Sequence, residues 1–245
     1  MRQFGLIGKT LSHSFSKIFF EEKFQREHIT DASYSLFELA NIESFKDFIR
    51  KHPDLVGFNV TIPYKQQIIP YLDALSDEAN TIGAVNTVII QHIDNQTFTK
   101  GYNTDIIGFR DSLQGIPIPD HALILGTGGA SVAVKHILDL LGCTCTVISR
   151  NPDRGLPYSA LTQEFVRQHH LIVNCTPLGT YPNIKEKPDI PYEGISGDHI
   201  LYDLVYNPSE TAFLKEGILR GARTLNGLAM LHAQAEAAWK IWENR

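Results

Sequence analysis

The chain has 245 residues, 43% of them hydrophobic, which is enough apolar material to bury a core and excludes an intrinsically disordered chain. Twenty-two Lys and Arg against 27 Asp and Glu leave a formal charge of −5, and a mildly acidic chain lacks the clustered cations that grip a nucleic-acid backbone. Cys143, Cys145 and Cys175 are odd in number and lack zinc-ligand spacing, so reduced thiols are expected.

The first residues show no signal-peptide pattern, and no apolar run approaches the ~20 residues of a membrane helix, which points to a cytoplasmic protein with no membrane partner. Phe4 to Ile7 is a short apolar run ended by Gly8, and Ser14 to Glu27 has helical spacing. Tyr34 to Leu39 alternates, and Ile42, Phe45, Phe48 and Ile49 recur at helical spacing. Leu55 to Val60 is strand-like, and Pro63 suits the first turn of a helix. Val85 to Ile90 and Phe98 to Gly101 predict a hairpin around Asp94-Asn95. Repeated strand–helix–strand units imply an α/β domain with parallel strands covered by helices.

A second series begins near residue 105. Thr104 suits the cap of a helix holding Ile106, Ile107, Phe109 and Leu113. Ala122 to Leu125 is a continuous apolar strand running into Gly126-Thr127-Gly128-Gly129-Ala130-Ser131 and a helix that Gly142 ends. Thr144 to Ser149, Leu171 to Asn174 and Ile200 to Val205 are the next strands, with a helix from Thr211 to Arg220. Four such strands fit a Rossmann-like, doubly wound parallel sheet. Asn226 to Trp242 reads as one amphipathic helix with an apolar stripe of Leu228, Leu231, Ala235, Ala238 and Trp242, expected to pack back on the first domain. The expected division is 1–103 with 225–245, and 104–224.

A strand, a glycine turn and a helix form the context of a dinucleotide site: Gly126 permits a tight turn, Gly128 lets the backbone approach a pyrophosphate, and the helix N-terminus faces the anion. The spacing departs from the usual fingerprint, since Gly129 follows Gly128 directly. The next strand ends in Ser149-Arg150-Asn151, with Arg154 beyond. An acidic residue there favours a free ribose 2′-hydroxyl, whereas a guanidinium matches a 2′-phosphate, which argues for NADP over NAD. The competing reading is a solvated surface arginine.

Polar residues gather at strand ends in the first half. Ser12-His13-Ser14-Phe15-Ser16 precedes a helix, where one serine serves as a cap and two alternate hydroxyls suggest an anion pocket. Asn59 and Thr61 share a face by two-residue alternation, and Lys65 follows in the first helical turn, where the helix end favours anions over cations. Asn86 and the segment Asn103-Thr104-Asp105 stand at further strand ends, although Asp105 also reads as a helix cap. Together they suit a small polyhydroxylated acid. The histidines show no metal-ligand pattern, so no metal is expected.

These segments, with Gly83-Ala84-Val85-Asn86-Thr87, Asn174-Cys175-Thr176-Pro177-Leu178-Gly179, Tyr206 to Leu214 and Gly227 to Gln234, resemble the shikimate dehydrogenase family along nearly the whole chain. The resemblance implies reversible reduction of 3-dehydroshikimate by NADPH, in the route to aromatic amino acids, by a monomer or homodimer. It implies that Ser14 and Ser16 hold the substrate carboxylate, and that Asn59, Thr61, Asn86, Asp105 and Gln234 serve the ring hydroxyls, with Tyr206 lining the substrate side. Lys65 and Asp105 are the implied catalytic pair. The implied cofactor residues are Gly126, Thr127, Gly128, Gly129, Ala130, Ser149, Arg150, Asn151, Arg154 and Thr176, with Leu204, Gly227 and Asp77 toward the nicotinamide. Ser149-Arg150-Asn151 replaces the frequent Asn-Arg-Thr, and Thr180 replaces a common methionine. Rival expectations are a quinate/shikimate dehydrogenase with relaxed cofactor use, a non-catalytic shikimate sensor, and another two-domain reductase.

Overall fold

The computed structural model describes residues 1–11, 14–94 and 96–244. The chain divides into two compact units, Met1–Ile107 with Gln234–Arg245, and Gly108–Ala233. Each boundary falls inside a helix, Asp105–Ser112 and Leu228–Glu243, rather than at 103 and 225.

The first unit is built on six strands, β1 (Arg2–Gly8), β2 (Ala32–Glu38), β3 (Leu55–Val60), β4 (Ala74–Leu75), β5 (Thr87–Ile93) and β6 (Gln96–Tyr102), in the order β2-β1-β3-β5-β6-β4. β1 runs parallel to β2 and β3, joined through the helices Phe15–Arg26 and Phe45–Lys51. The sheet is mixed rather than parallel throughout. β5 and β6 are consecutive strands that pair from Thr87↔Tyr102 to Ile93↔Gln96, and so short a connection permits only an antiparallel pair. Asn95, in the predicted turn, lies outside the described residues.

Alternation sends neighbouring side chains to opposite faces of this sheet. Phe4 and Leu6 of β1 join one core with Phe20, Tyr34 and Trp242, while Ile7 joins another with Phe45, Phe58 and Ile68. Ala235, Ala238, Trp239 and Trp242 of the last helix are buried in the first of these cores, but Leu228, expected in its stripe, is exposed. Trp242 stacks on Phe4 with ring centres 4.8 Å apart and donates Nε1–H to the Val88 carbonyl at 3.0 Å. Gly57 makes room for it, since a Cβ there would meet Trp242 Nε1 at 2.5 Å.

The second unit also holds six strands, β7 (His121–Leu125), β8 (Thr144–Ser149), β9 (Leu156–Pro157), β10 (Leu171–Asn174), β11 (Ile200–Asp203) and β12 (Arg223–Leu225). Their order is β12-β11-β10-β7-β8-β9 with every pairing parallel. This is the doubly wound arrangement, whose ligand crevice lies where the order reverses, beside the carboxyl ends of β7 and β10. Ala122 to Leu125 and Leu171 to Val173 are fully buried, which explains why they read as unbroken apolar runs. β9 and β12 are too short to show alternation, and the sequence expectation of four strands omitted them.

Candidate active site

The strand directions of the first unit collect its polar residues at one edge. Ser14 follows the carboxyl end of β1 and Thr61 that of β3; Asn86 precedes the antiparallel β5, and Asp105 follows β6. Ser12 and His13 lie outside the described residues. Ser14 is the N-cap of helix Phe15–Arg26, yet its side chain makes no capping hydrogen bond, and its buried Oγ has no hydrogen-bond partner among the described residues. A buried hydroxyl left unpaired is costly, so a ligand oxygen is its natural complement, and a helix N-terminus favours an anionic one. Thr61 donates its amide to the Ile7 carbonyl at 2.9 Å. Gly8 is needed beneath it, because a Cβ there would meet Thr61 Cγ2 at 2.7 Å and Leu11 Cδ2 at 2.6 Å.

Lys65 lies in the short helix Tyr64–Gln67, and its backbone is fixed by the Val85 amide, which donates to the Lys65 carbonyl at 2.7 Å. Its Nζ donates to Asp105 Oδ2 at 2.6 Å, with side chains 17% and 6% exposed. Asp105 opens its helix, but its carboxylate is occupied by Lys65 on one oxygen and by Asn86 Nδ2 on the other, at 2.8 Å. Asn86 Oδ1 accepts the Thr104 amide at 2.7 Å. Gln234 joins this group through Thr104, whose Oγ1 donates to Gln234 Oε1 at 3.5 Å.

Asn59, expected from sequence to serve the substrate, turns its amide toward the protein. It is buried, and its amide nitrogen donates to the Asn86 carbonyl at 3.2 Å and to Thr87 Oγ1 at 3.1 Å. Its Oδ1 accepts from the Tyr34 hydroxyl at 2.8 Å. Both amide protons are thereby committed to protein, so Asn59 braces the edge of the site from within. Tyr34 and Thr87 were not singled out from sequence. Their partners lie on strands distant in sequence, and only the buried phase of their own strands hinted at an inward position.

Gly126 to Ala130 and Thr176, expected from sequence to meet the cofactor, follow the carboxyl ends of β7 and β10, where the order of the second sheet reverses. Gly126 leaves β7 with φ +106°, and a Cβ there would approach Thr176 Cγ2 to 3.0 Å, so the turn and the β10 loop pack backbone against side chain. Gly128 is the N-cap of helix Gly129–Leu140 with no side chain capping it, and the space where its Cβ would lie is open to 4 Å. An uncapped helix end behind an open glycine fits a pyrophosphate. Thr127 and Ala130 flank this position and are half-buried. Thr176 is held by Asn174, whose Oδ1 accepts its amide at 3.0 Å and its hydroxyl at 2.6 Å. Ser149 Oγ accepts the Asn151 amide at 3.0 Å, and the side chains of Arg150 and Arg154 stand exposed beyond it.

Asn174 in turn donates to Asp203 Oδ1 at 2.9 Å. Asp203 also accepts from the Val205 amide and from Thr211, the N-cap of helix Ala212–Leu219. It is fully buried, and burial pushes its carboxyl up to about 6 against the pull of these hydrogen bonds. Leu204 donates its amide to the Asn174 carbonyl at 3.0 Å, and Gly227 packs so closely that a Cβ would lie 2.1 Å from the Leu204 carbonyl oxygen. Tyr206 is half-buried in this unit, while Asp77 opens the helix Asp77–Ile82 of the first unit. Among the described residues no group of three or more His, Cys, Asp or Glu side chains is arranged to hold a metal ion, and no helix is long and apolar enough to cross a membrane.

Residues 6–88 match the family model for the shikimate dehydrogenase substrate binding domain. Over 97% of its length the chain is 38% identical to a shikimate dehydrogenase (NADP(+)) of Methanococcus maripaludis, covering 90% of that protein. The chain belongs to the shikimate dehydrogenase family. A second relative, the shikimate dehydrogenase (NADP(+)) of Caldicellulosiruptor bescii, is 36% identical over 99% of this chain and 89% of that protein. Among solved structures, shikimate dehydrogenase 1 of Peptoclostridium difficile superposes with a TM-score of 0.85 at 36% identity, covering all of this chain and 92% of that one. The Thermus thermophilus shikimate 5-dehydrogenase in complex with NADP(H) and shikimate gives 0.87 at 31% identity, covering all of this chain and 94% of that one. The α/β class with a Rossmann-like second sheet is shared by these relatives.

Proposed function

We propose that this enzyme catalyses the reversible NADPH-dependent reduction of 3-dehydroshikimate to shikimate, in the cytoplasm, as a monomer or homodimer. The observation that carries the reading is the half-sequestered Lys65–Asp105 ion pair, with Asn86 on the second carboxylate oxygen. The relatives named NADP(+)-dependent shikimate dehydrogenases, and the solved relative holding NADP(H) and shikimate, support the same substrate and cofactor here.

Ser14 and Ser16 hold the substrate carboxylate at the helix N-terminus, the Ser14 hydroxyl, without a partner among the described residues, supplying one donor. Thr61, Asn86, Asp105 and Gln234 meet the ring hydroxyls, and Tyr206 lines the substrate side. Gly126 to Ala130 hold the pyrophosphate, with Thr176, Leu204 and Gly227 toward the nicotinamide. Ser149 to Arg154 hold the adenosine end. Its 2′-phosphate meets Arg150 and Arg154, two exposed guanidiniums of fixed charge.

NADPH, when bound, supplies a hydride to the ketone carbon. Negative charge then develops on the ketone oxygen, and the Lys65 ammonium stabilises it and transfers a proton to it, giving the hydroxyl. Asp105 anchors the ammonium and fixes its direction. In the oxidation direction the neutral Lys65 amine accepts the hydroxyl proton.

A steady-state assay with shikimate or quinate, each with NADP or NAD, tests the proposal through nicotinamide absorbance. Shikimate with NADP is expected to give the highest kcat/KM. Binding of both ligands without turnover would overturn the enzymatic reading, and an equal rate with quinate would replace the substrate.

A further inference from the structure

We propose that the Tyr34 hydroxyl is the origin of a one-way chain of hydrogen-bond donors that aims the Asn86 amide at the Asp105 carboxylate, which makes Tyr34, Asn59 and Thr87 positioning residues for the reaction. The inference rests on the reaction proposed above. It adds three side chains, none of which touches substrate in this scheme.

The direction of each bond follows from its fixed ends. Asp105 Oδ1 only accepts, so the Asn86 group facing it is the amide NH2, and Asn86 Oδ1 faces the Thr104 amide, which only donates. The Asn86 carbonyl also only accepts, so Asn59 turns its NH2 toward it, which leaves Asn59 Oδ1 facing Tyr34. The Tyr34 proton therefore points to Asn59. The second amide proton of Asn59 goes to Thr87 Oγ1, so the Thr87 hydroxyl proton points onward to Asn86 Oδ1 at 3.1 Å, an oxygen that Thr104 Oγ1, 3.2 Å from Thr87 Oγ1, also faces at 3.1 Å. Neither carboxamide can flip without setting acceptor against acceptor.

Burial keeps this chain in place. Tyr34, Asn59, Asn86 and Thr87 are all nearly or fully shielded from solvent. Burial also pushes the Tyr34 phenol far above its usual range, so the hydroxyl remains a donor. The Tyr34 ring is clamped in a stack on Phe20, with centres 4.5 Å apart. With the chain intact, Asn86 has one low-energy orientation, and Asp105 offers Lys65 its other oxygen in a set direction. The hydroxyl also lies within hydrogen-bonding reach of Ser16, which defines the rival role, service to the substrate carboxylate.

Tyr34→Phe removes the first donor and keeps the stacked ring, and Thr87→Val cuts the chain midway. Each is expected to lower kcat roughly fivefold to tenfold with the KM for shikimate and for NADP nearly unchanged, the scale of one lost buried hydrogen bond. In an Asn86→Ala background, Tyr34→Phe is expected to have little further effect, because both changes break the same chain. A wild-type kcat in both single variants overturns the inference. So does a raised shikimate KM at constant kcat that disappears in a Ser16→Ala background. Crystal structures of both variants provide a readout independent of turnover: Asn86 is expected to turn away from Asp105, and a retained 2.8 Å contact in both refutes the chain. An inactive wild-type enzyme would sink the proposed reaction, and the crystallographic readout would still decide this inference.

Discussion

The polar edge of the first unit and the phosphate turn of the second solve opposite problems. At the first, the groups around the ion pair are already paired: Asp105 with Lys65 and Asn86, and Asn86 with Thr104 and Thr87. At the second, the groups expected to hold ligand are left bare, with an uncapped helix end, an open Gly128 and exposed arginines. The proton transfer proposed for this edge demands a preset direction, which side chains braced before substrate arrives would supply. Holding a flexible polyanion needs free N–H groups and charge, which side-chain caps and ion pairs would consume. Rigidity is still found in the second unit, one layer back, in the Asn174–Asp203–Thr211 connection behind Thr176.

The largest expected effect tests the braced site. Lys65→Ala removes the cation proposed to face the developing oxyanion, so kcat is expected to fall about a thousandfold or more, with shikimate affinity changed by only a few-fold. Steady-state kinetics with a direct binding titration measure both. Equal losses in kcat and affinity would make Lys65 a binding residue, and the contrast between the two regions would lose its basis.

The next effect probes the layer behind the open site. Asp203 accepts three hydrogen bonds but has no cation among its hydrogen-bond partners, and its carboxyl stands at about 6 instead of 3.8 because of burial. A folded-state value above the unfolded one means that the protonated form stabilises the fold. That contribution is full below pH 3.8 and is lost as pH rises through about 6. At neutral pH the buried charge costs on the order of 3 kcal/mol relative to the protonated form. Asp203→Asn keeps the shape without the charge, so its thermal stability relative to wild type is expected to improve from about pH 4 to about pH 6.5 and to level off above about pH 7. His169 and His199 act in the opposite sense. Burial holds both below their usual value, so their contribution is present above the ordinary histidine range and is lost as pH falls through their folded-state values. Melting curves of wild type and Asp203→Asn across this range isolate the Asp203 part, and parallel curves would mean that the carboxyl is not strained.

What was legible from sequence follows the same division. The phosphate turn is local: strand, glycines and helix are adjacent in the chain, so Gly126, Gly128 and the arginines after β8 could be read directly. Lys65 and Asp105 were legible as strand-end residues, but their meeting at 2.6 Å joins positions forty residues apart. The commitment of Asn59 was hidden, because alternation gives the face of a side chain and not the partners that consume its amide. Tyr34 looked like any aromatic residue of a buried strand face. β9 and β12 escaped because two or three residues carry no period. The hairpin β5–β6 was visible as a turn between apolar runs, yet its consequence, a mixed sheet bringing Asn86 and Asp105 to the same edge as Thr61, depends on strand order.

The smallest effect tests the open site itself. Arg150 is exposed, so Arg150→Gln should leave the fold intact while removing one of the charged contacts proposed for the 2′-phosphate. A charge-assisted hydrogen bond at a partly solvated site is worth about 1.5 kcal/mol, so the KM for NADP is expected to rise roughly tenfold. NAD has no 2′-phosphate, so its KM should stay within about twofold of the wild-type value, and the KM for shikimate should not move. Adding Arg154→Gln is expected to deepen the NADP defect alone. Equal losses with NADP and NAD would place Arg150 on the pyrophosphate or adenine instead. No loss in the double variant would mean that the arginines are ordinary solvated surface and that discrimination between the two nucleotides lies elsewhere in the second unit.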